Sequence, residues 1–464
     1  MIQIKSSHYP YRYEARLIVE ANTPLAIGSG EGNMMTDRLV IRDVNGLPFL
    51  PGSTISGVLR HAMEAVSPSQ TNLYFGEQKK RQSFGSRLLI SEGRVVGADG
   101  SVLDGMQMID THNEYYNFIC ETLIRQHVRI DAYGVTEKHG KFDEEIVPKG
   151  VRFCFEIEML AEKTDDLDFF EQVLIQVNTQ GFRLGGGTRN GLGEIKVISV
   201  QKAVLDLRIE EQRKSYLSKP SDLAKSAEWP AWQSFESTSI ESSYDEYVLS
   251  LQPKDFYIFG SGLGDDETDD APLKESFLKW DEMGAHIVEA SKVVPASSLK
   301  GIISHRVAYY FNKNNKLFAI EAKTDEAQGT EPKTGCDNKA VAALFGSQGD
   351  SDGNGRSRGK VIFSDLIEEM ACDTKMFNHV AISQFTGGAM AGKLYDEKVI
   401  YAPESTFVLR VLVPKAGLED EVVRPLKQAL LDIRKGMLPL GGMTNRGHGV
   451  FTGSLTCNGK EVSL

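Results

Sequence analysis

Two ten-residue segments hold the side chains best suited to chemistry. Residues 28–37 read GSGEGNMMTD and residues 260–269 read GSGLGDDETD. Each has a Gly-Ser-Gly turn, a later glycine, and Thr-Asp at its end. Such a loop, hung from a strand, delivers carboxylates to a surface. Carboxylates near a phosphodiester can hold a hydrated Mg²⁺, which neutralises charge and aids attack. Asp37 closes the first segment and Asp269 the second, with Asp270 directly after. The second segment is denser in acid, with Asp265, Asp266, Asp269 and Asp270 in close succession. The competing outcome is a solvated acidic loop.

A second pair of segments is glycine-rich. Residues 184–193 read LGGGTRNGLG and residues 440–449 read LGGMTNRGHG. Gly186 and Gly187, like Gly441 and Gly442, allow backbone N–H groups to approach an oxyanion, and Arg189 or Arg446 adds a full charge. The alternatives are a phosphate contact and a tight helix-to-strand turn. Recurrence with Thr and Arg retained favours phosphate contact. His448 stands where the first loop has Leu192, and a loop histidine present in one copy only is not read as catalytic. Residues 387–393 (GGAMAGK) match a P-loop pattern. However, Leu394 replaces the Ser or Thr that would bind Mg²⁺, and a strand-like run follows, so no nucleotide site is expected. No GxGxxG or HExxH occurs, and GxSxG is matched only by residues 349–353 (GDSDG) and 355–359 (GRSRG) inside a glycine-rich loop rather than at a strand-to-helix turn, which leaves redox, zincin and α/β-hydrolase chemistry without support.

The elements that position these segments are themselves repeated. Residues 50–57 (LPGSTISG) return at 294–301 (VPASSLKG), residues 127–130 (HVRI) at 379–382 (HVAI), and the glycine loop at 440–449. The offsets are 295 − 51 = 244, 379 − 127 = 252 and 440 − 184 = 256. Three motifs in one order with slow drift indicate tandem duplication with loop insertions. Each copy reads as α+β. Residues 14–20 alternate as a half-buried strand. Ser53 is expected to cap a helix bearing Ile55, Val58, Leu59, Ala62, Met63 and Val66 on one face, and Ser297 starts its counterpart. A later helix carries Phe170, Val173, Leu174 and Val177; its partner carries Val422, Leu426, Ala429, Leu430 and Ile433. Each runs into a glycine loop and a strand. Strand, helix, strands, helix, strand is the ferredoxin-like order shared with RNA-recognition domains. The expected organisation is a first domain over 1–205, a polar linker over 206–245 with one short helix, and a second domain over 246–464. Residues 346–360 read as a mobile loop.

Composition bounds the function class. The chain has 464 residues, 41% apolar and 25% charged, which excludes wholesale disorder and fits two or more domains. No apolar run is long enough to span a bilayer and no secretory h-region is seen, so no membrane association is expected. The cysteines are odd in number, and even the closest pair, Cys120 and Cys154, is widely spaced. That argues against a disulfide framework or a CxxC zinc site and for a reducing cytoplasm. Net charge is 52 − 64 = −12, against phosphate binding if read as a sum. A long chain can nonetheless carry a basic groove on an acidic body.

The motif set resembles the RAMP superfamily of CRISPR systems. The carrying residues are Pro-Gly-Ser-x-x-x-Gly at a helix start, Leu344-Phe345-Gly346 with Tyr74-Phe75-Gly76, residues 87–91 with 361–365, the His-Val-x-Ile segments with their Asp-Glu pairs, and the late glycine loops. The nearest likeness is to the backbone subunit of type III effector complexes, here fused in tandem. The resemblance implies a palm of RNA-recognition type and a β-hairpin thumb, over residues 127–147 and 379–400, that kinks a guide–target duplex. It implies guide RNA, complementary target RNA and other RAMP subunits as partners. It implies target-RNA cleavage with a divalent metal (Mg²⁺ or Mn²⁺) held by Asp37 and by Asp269, or its neighbour Asp270. Guide contacts carried over are Ser53, Arg60, Lys300, Arg189, Arg446, the four loop glycines, His127 and His379. Each repeat keeps one of the two helix cations usual in the family: the first has Arg60 with Ser56, the second Lys300 with Ser304. A non-catalytic scaffold with the same fold is the alternative. A metal-free, histidine-based guide-processing nuclease ranks last, because paired histidines are absent from one candidate loop.

Overall fold

The computed structural model describes residues 9–79, 83–108, 110, 112–131, 135–236, 241–290, 292–317, 333–347 and 355–463. The first repeat is built from β1 (Tyr11–Ala21), α1 (Gly52–Val66), β2 (Leu88–Ile90), β3 (Leu123–Ile130), β4 (Thr136–Ile146), β5 (Arg152–Ala161), α2 (Asp166–Val177) and β6 (Ile195–Asp206). Its sheet runs β6-β1-β5-β2, antiparallel throughout. The linker segment adds α3 (Glu210–Leu217) and α4 (Leu223–Ser226). The second repeat comprises β7 (Tyr244–Pro253), β8 (Glu275–Asp281), β9 (Gly284–Ala290), α5 (Ala296–Asn314), α6 (Lys339–Phe345), β10 (Ile362–Phe363), β11 (Asp373–Ile382), β12 (Ala389–Tyr401), β13 (Phe407–Pro414), α7 (Asp420–Arg434) and β14 (Phe451–Cys457). Its sheet order, β14-β7-β13-β10, is the same as that of the first. Both halves therefore have the ferredoxin-like topology that the element order implied.

The cores follow from the spacing of apolar side chains. Ile55, Leu59 and Met63 recur every fourth residue on α1 and are fully buried against β1, β5 and α2. Leu299, Ile303 and Val307 do the same on α5. Burying each such side chain contributes ~1.5–3 kcal/mol. Both helices follow a proline, Pro51 or Pro295, which cannot continue the preceding ladder and sets the entry φ near −60°. The expected Ser53 cap is absent. Ser53 lies one residue inside the first turn with an exposed side chain, and α1 has no side-chain cap.

The two thumbs are the hairpins β3-β4 and β11-β12, and they begin earlier than residues 127 and 379. Each ladder slips register at the same place, after Val128 and after Val380. Residues 132–134 lie outside the described residues, as do residues 348–354 of the segment 346–360. Ile124, Val128 and Ile130 are exposed on the first thumb, and their counterparts Met376, Val380 and Ile382 on the second. The P-loop-like residues 387–393 sit at the start of β12, in a strand rather than before a helix.

The linker segment is more structured than its composition suggested. Two helices replace the one expected, and α3-α4 lie across the outer face of the first sheet. Arg16 donates to Glu156 (3.0 Å) and Ser226 (2.7 Å), while Lys219 reaches Glu14 (2.7 Å) and Glu156 (2.8 Å) beneath Trp229 and Trp232. The matching face of the second sheet has Val408 and Arg410 exposed.

The repeats interlock. The β8-β9 hairpin inserts Leu278 into the first core, with its N–H on the Lys149 carbonyl (2.9 Å). Trp280 Nε1 donates to Gly150 O (2.7 Å) and its ring stacks under Arg152 (3.9 Å). At the centre of the joint, Arg125 of β3 is buried against two carboxylates of the second repeat. It binds Glu275 through two nitrogens (2.5 and 2.8 Å) and Asp365 through a third. Asp365 also accepts from the Ala296 N–H (2.8 Å), capping α5 of its own repeat. Gly191, at φ +106°, meets this site so closely that a Cβ would overlap Asp365 and Ala296.

Candidate active site and nucleic-acid interface

Both acidic loops are built by one device. In the first, the Asn33 side chain accepts from the Met35 and Thr36 N–H groups (2.8 and 2.7 Å), and Asn33 N–H bonds Thr36 O (2.9 Å). In the second, Asp265 accepts from Glu267 and Thr268 (3.0 and 2.8 Å), with Asp265 N–H on Thr268 O (2.9 Å). Gly32 and Gly264 precede these turns where a Cβ would strike the backbone of residues 36–37 and 268–269. Thr36 and Thr268 are buried; the next residue, Asp37 or Asp269, is thrown outward.

Each loop then pairs with its thumb. Arg38 bridges Glu144 and Asp270 bridges Glu397, both parallel. This puts the Asp37 carboxylate on the Asp143 N–H (3.1 Å) and the Asp269 carboxylate on the Asp396 N–H (3.2 Å). Asp269 is thus the counterpart of Asp37. Asp270 fills the place of Arg38, half-buried, where burial and the Glu397 charge push its carboxyl up. In both loop carboxylates Oδ2 takes the thumb N–H, and no bond to Oδ1 is formed among the described residues. The thumb residues Asp143 and Asp396, to which no role fell from the sequence, flank the exposed carboxylates; their recurrence as Asp-Glu pairs was the available signal.

No three His, Cys, Asp or Glu side chains gather as a metal site among the described residues. A divalent ion held by one carboxylate plus phosphate oxygens is a usual Mg²⁺ arrangement, and Asp37 and Asp269 each fit that role with one free oxygen. The second loop is further stiffened by Lys398, which grips Asp265 and Glu267 (2.7 Å to the latter) and holds the Asp265 carboxyl well below its usual range.

The thumb histidines turn inward. His127 Nε2 lies 3.0 Å from Glu144 Oε1 with its ring stacked on Phe142 (4.8 Å). His379 Nε2 lies 2.9 Å from Glu397 Oε1 with its ring on Tyr395 (4.9 Å). Each ring thus turns to a glutamate on the opposite strand of its own thumb, and His379 bonds Glu397 there. Burial opposes the charge on Glu144, yet His127, Arg38 and Arg125 hold its carboxyl below the usual range. The second repeat does bring two histidines together, because His448 also turns Nε2 to Glu397 Oε1 (3.3 Å). That carboxylate is fully buried, and Arg446 stands 3.9 Å from its other oxygen and over the Tyr395 ring.

The glycine loops are closed on themselves more than their composition suggested. The Gly186 and Gly442 N–H groups bond Ala26 O (2.7 Å) and Ile258 O (2.8 Å), and Gly187 and Gly441 supply positive φ. These loops are turns that dock on the first strand's extension, so backbone phosphate contacts by Gly186 and Gly442 are corrected. Arg60 is likewise engaged, with bonds to Glu64 (3.2 Å), Gly76 O (3.0 Å) and Asn72 (2.8 Å).

Arg189 and Lys300 behave differently, and tertiary structure brings them together at the joint. Lys300 donates to Asn190 Oδ1 (2.9 Å), Arg189 to Gly359 O (2.8 Å), and Arg358 to Thr188 Oγ1 (2.7 Å). None of the three makes an ion pair among the described residues. Burial, then Arg358, pulls Arg189 down to about 10; burial and Arg189 pull Lys300 down as well. Three cations held together without a carboxylate favour an anion. Arg358 was not legible as part of this set, since it belongs to the other repeat and to a loop read as mobile.

The family model of the RAMP superfamily matches residues 18–196 and 258–452, one match on each ferredoxin-like unit. The chain belongs to the RAMP superfamily. Membership puts this tandem RAMP protein among CRISPR-associated, RNA-binding chains. No curated protein matches it. No helix among the described residues is long and apolar enough to cross a membrane.

Proposed function

We propose that this RAMP protein is a guide-RNA-binding backbone subunit of a type III CRISPR ribonucleoprotein that cuts guide-paired target RNA at two sites. The observation that carries this reading is the repeated anchoring of one exposed carboxylate, Asp37 or Asp269, on the base of a thumb. The thumbs present apolar side chains (Val128 and Ile130; Val380 and Ile382) suited to parting stacked bases. Arg189, Lys300 and Arg358 offer charge for the guide backbone between the two cuts. Each cut would be attack of a ribose 2′-oxygen on the adjacent in-line phosphorus, the hydroxyl proton passing to solvent and the departing 5′-oxygen taking one from solvent, with a 2′,3′-cyclic phosphate formed. Mg²⁺ or Mn²⁺, when bound, would neutralise charge on the phosphoryl oxygens. Asp37 and Asp269, turned outward by their loop turns, would face the scissile phosphate. DNA lacks the attacking hydroxyl and would survive.

The test is incubation of the assembled complex with end-labelled complementary RNA, with and without EDTA. Two cuts are expected, one lost in Asp37→Ala and the other in Asp269→Ala, each by at least ~10²-fold. Asp270→Ala should retain both. Guide and target binding should persist in all three. A double variant Asp37→Ala/Asp269→Ala that cuts at the wild-type rate refutes catalysis here and leaves the scaffold.

A further inference from the structure

The joint between the repeats is heterologous: one face of the first repeat sits on a different face of the second. Between equivalent units such a joint leaves a donor face open on the second repeat and an acceptor face open on the first. Whether the chain can add to itself depends on the residues at those two faces, and strand register identifies them. Arg125 is the donor at the internal joint, opposite Glu144 in the thumb ladder. Phe377, opposite Glu397, is its counterpart. Glu275 and Asp365 are the internal acceptors. Leu273 N–H bonds Phe259 O as Ile41 N–H bonds Ile27 O, so Glu275 corresponds to Asp43. Leu366 pairs with Val294 as Gly93 pairs with Leu50, so Asp365 corresponds to Glu92.

The two faces do not match. At the internal joint one guanidinium neutralises two buried carboxylates. At the open acceptor the chain supplies its own guanidinium: Arg94 reaches Asp43 (3.4 Å), Asp104 (3.5 Å) and Glu92. Three carboxylates around one cation leave that face negative, with Glu92 half exposed to water. The open donor is aromatic. Phe377 packs edge-on to Phe256 (5.2 Å), Phe256 lies 5.3 Å from Tyr401, and Lys375 is held over the Phe256 and Phe377 rings (5.4 and 5.0 Å). Seating a phenyl ring on Glu92 strips its water and returns no hydrogen bond. The acceptor of the second repeat in any other copy is already filled by its own Arg125.

We infer that Phe377 stops this chain from adding head-to-tail to copies of itself, and keeps the open face of the second repeat for a different subunit, one with uncharged residues where this chain has Asp43 and Glu92. That the partner shares the fold rests on the function proposed above; the exclusion of self does not, and its test needs no RNA. The full chain, purified free of nucleic acid, is followed by sedimentation velocity over a concentration series. Wild type should hold the mass of one chain throughout. Phe377→Arg restores the guanidinium and should at least double the mean mass at high concentration; Glu92→Ala added to it should return the single-chain mass. Phe377→Lys, a smaller change of shape at the same charge, should also associate, and thermal melts check that each variant is folded. Wild-type multimers abolished by Glu92→Ala would overturn the inference. So would folded Phe377→Arg and Phe377→Lys chains that both remain single.

Discussion

Arg125→Met removes the one cation at the centre of the internal joint while keeping a side chain of similar length. Glu275 and Asp365 are then left at 4% and 0% exposure with no guanidinium. In the wild type, burial opposes the Arg125 charge, but Asp365 and Glu275 together keep it protonated. Breaking a buried pair by removing one partner costs about 3–5 kcal/mol, because an uncompensated charge stays behind. That is the loss expected at the joint. Trp280 reports on it directly, since its indole is bonded to Gly150 and stacked under Arg152. Urea unfolding followed by its fluorescence in a Trp229→Phe/Trp232→Phe background should show the joint opening earlier. The sign with pH is set by Asp365, whose carboxyl burial already pushes up and Arg125 pulls down. Without Arg125 its folded pKa rises further above the unfolded value of ~3.9. Stability from such a group is present below the unfolded pKa and is lost as pH rises through the folded one. The deficit should therefore be small near pH 4 and grow towards neutrality. Adding Glu275→Leu and Asp365→Asn should recover much of it, as Asn keeps an acceptor for the Ala296 N–H. A deficit under ~1 kcal/mol, or one flat with pH, would refute a buried ion triad as the lock.

Gly191→Ala should open the same joint without touching charge, because its Cβ overlaps Asp365 and Ala296 and its φ of +106° disfavours any side chain; a loss of ~1–3 kcal/mol is expected in the same urea assay. Lys300→Ala, Arg189→Ala and Arg358→Ala should each weaken guide binding and lower the slope of log affinity against log salt by ~1, while Arg60→Ala, whose donors are engaged within the repeat, should change the slope little in the same titration. Burial pushes the Glu14 carboxyl up to about 7 from 4.5 although Lys219 opposes it, so docking of α3-α4 should be tightest below about pH 4.5 and loosen as pH rises towards 7. Hydrogen exchange of residues 210–226 should follow that trend in wild type and lose it in Glu14→Gln.

Much of this was legible because it is local or periodic. Helical spacing predicts the buried face of α1 at Ile55, Leu59 and Met63, though Val66 at its end is exposed; alternation predicts Ala15, Leu17 and Val19 of β1 as buried but wrongly leaves Glu14 and Arg16 open, because the linker helices cover that face. Repetition carried more: recurrence of three motifs in one order implied two like units, and the like sheet orders follow from like hydrophobic patterns. The carboxylate loops were visible for the same reason, since Asx turns and close-packed glycines are written in consecutive residues.

What tertiary structure decided depends on groups far apart in the chain. Sequence favoured Asp269 but kept Asp270 as the alternative; the parallel bridge of Asp270 to Glu397 separates them, turning one outward and the other towards a buried carboxylate. His127 and His379 were carried over as guide contacts with no partner visible in the chain; packing adds that each meets a glutamate on the opposite strand of its thumb, Glu144 or Glu397. The glycine loops looked like anion cradles, yet their amides meet the carbonyls of Ala26 and Ile258, near the far end of each repeat. Arg189 and Lys300 belong to different repeats, and they join Arg358 only because one repeat folds onto the other. Composition and spacing determine which elements form and which face each buries. Which charges end up paired depends on desolvation and distance after packing, and residue order alone does not encode those.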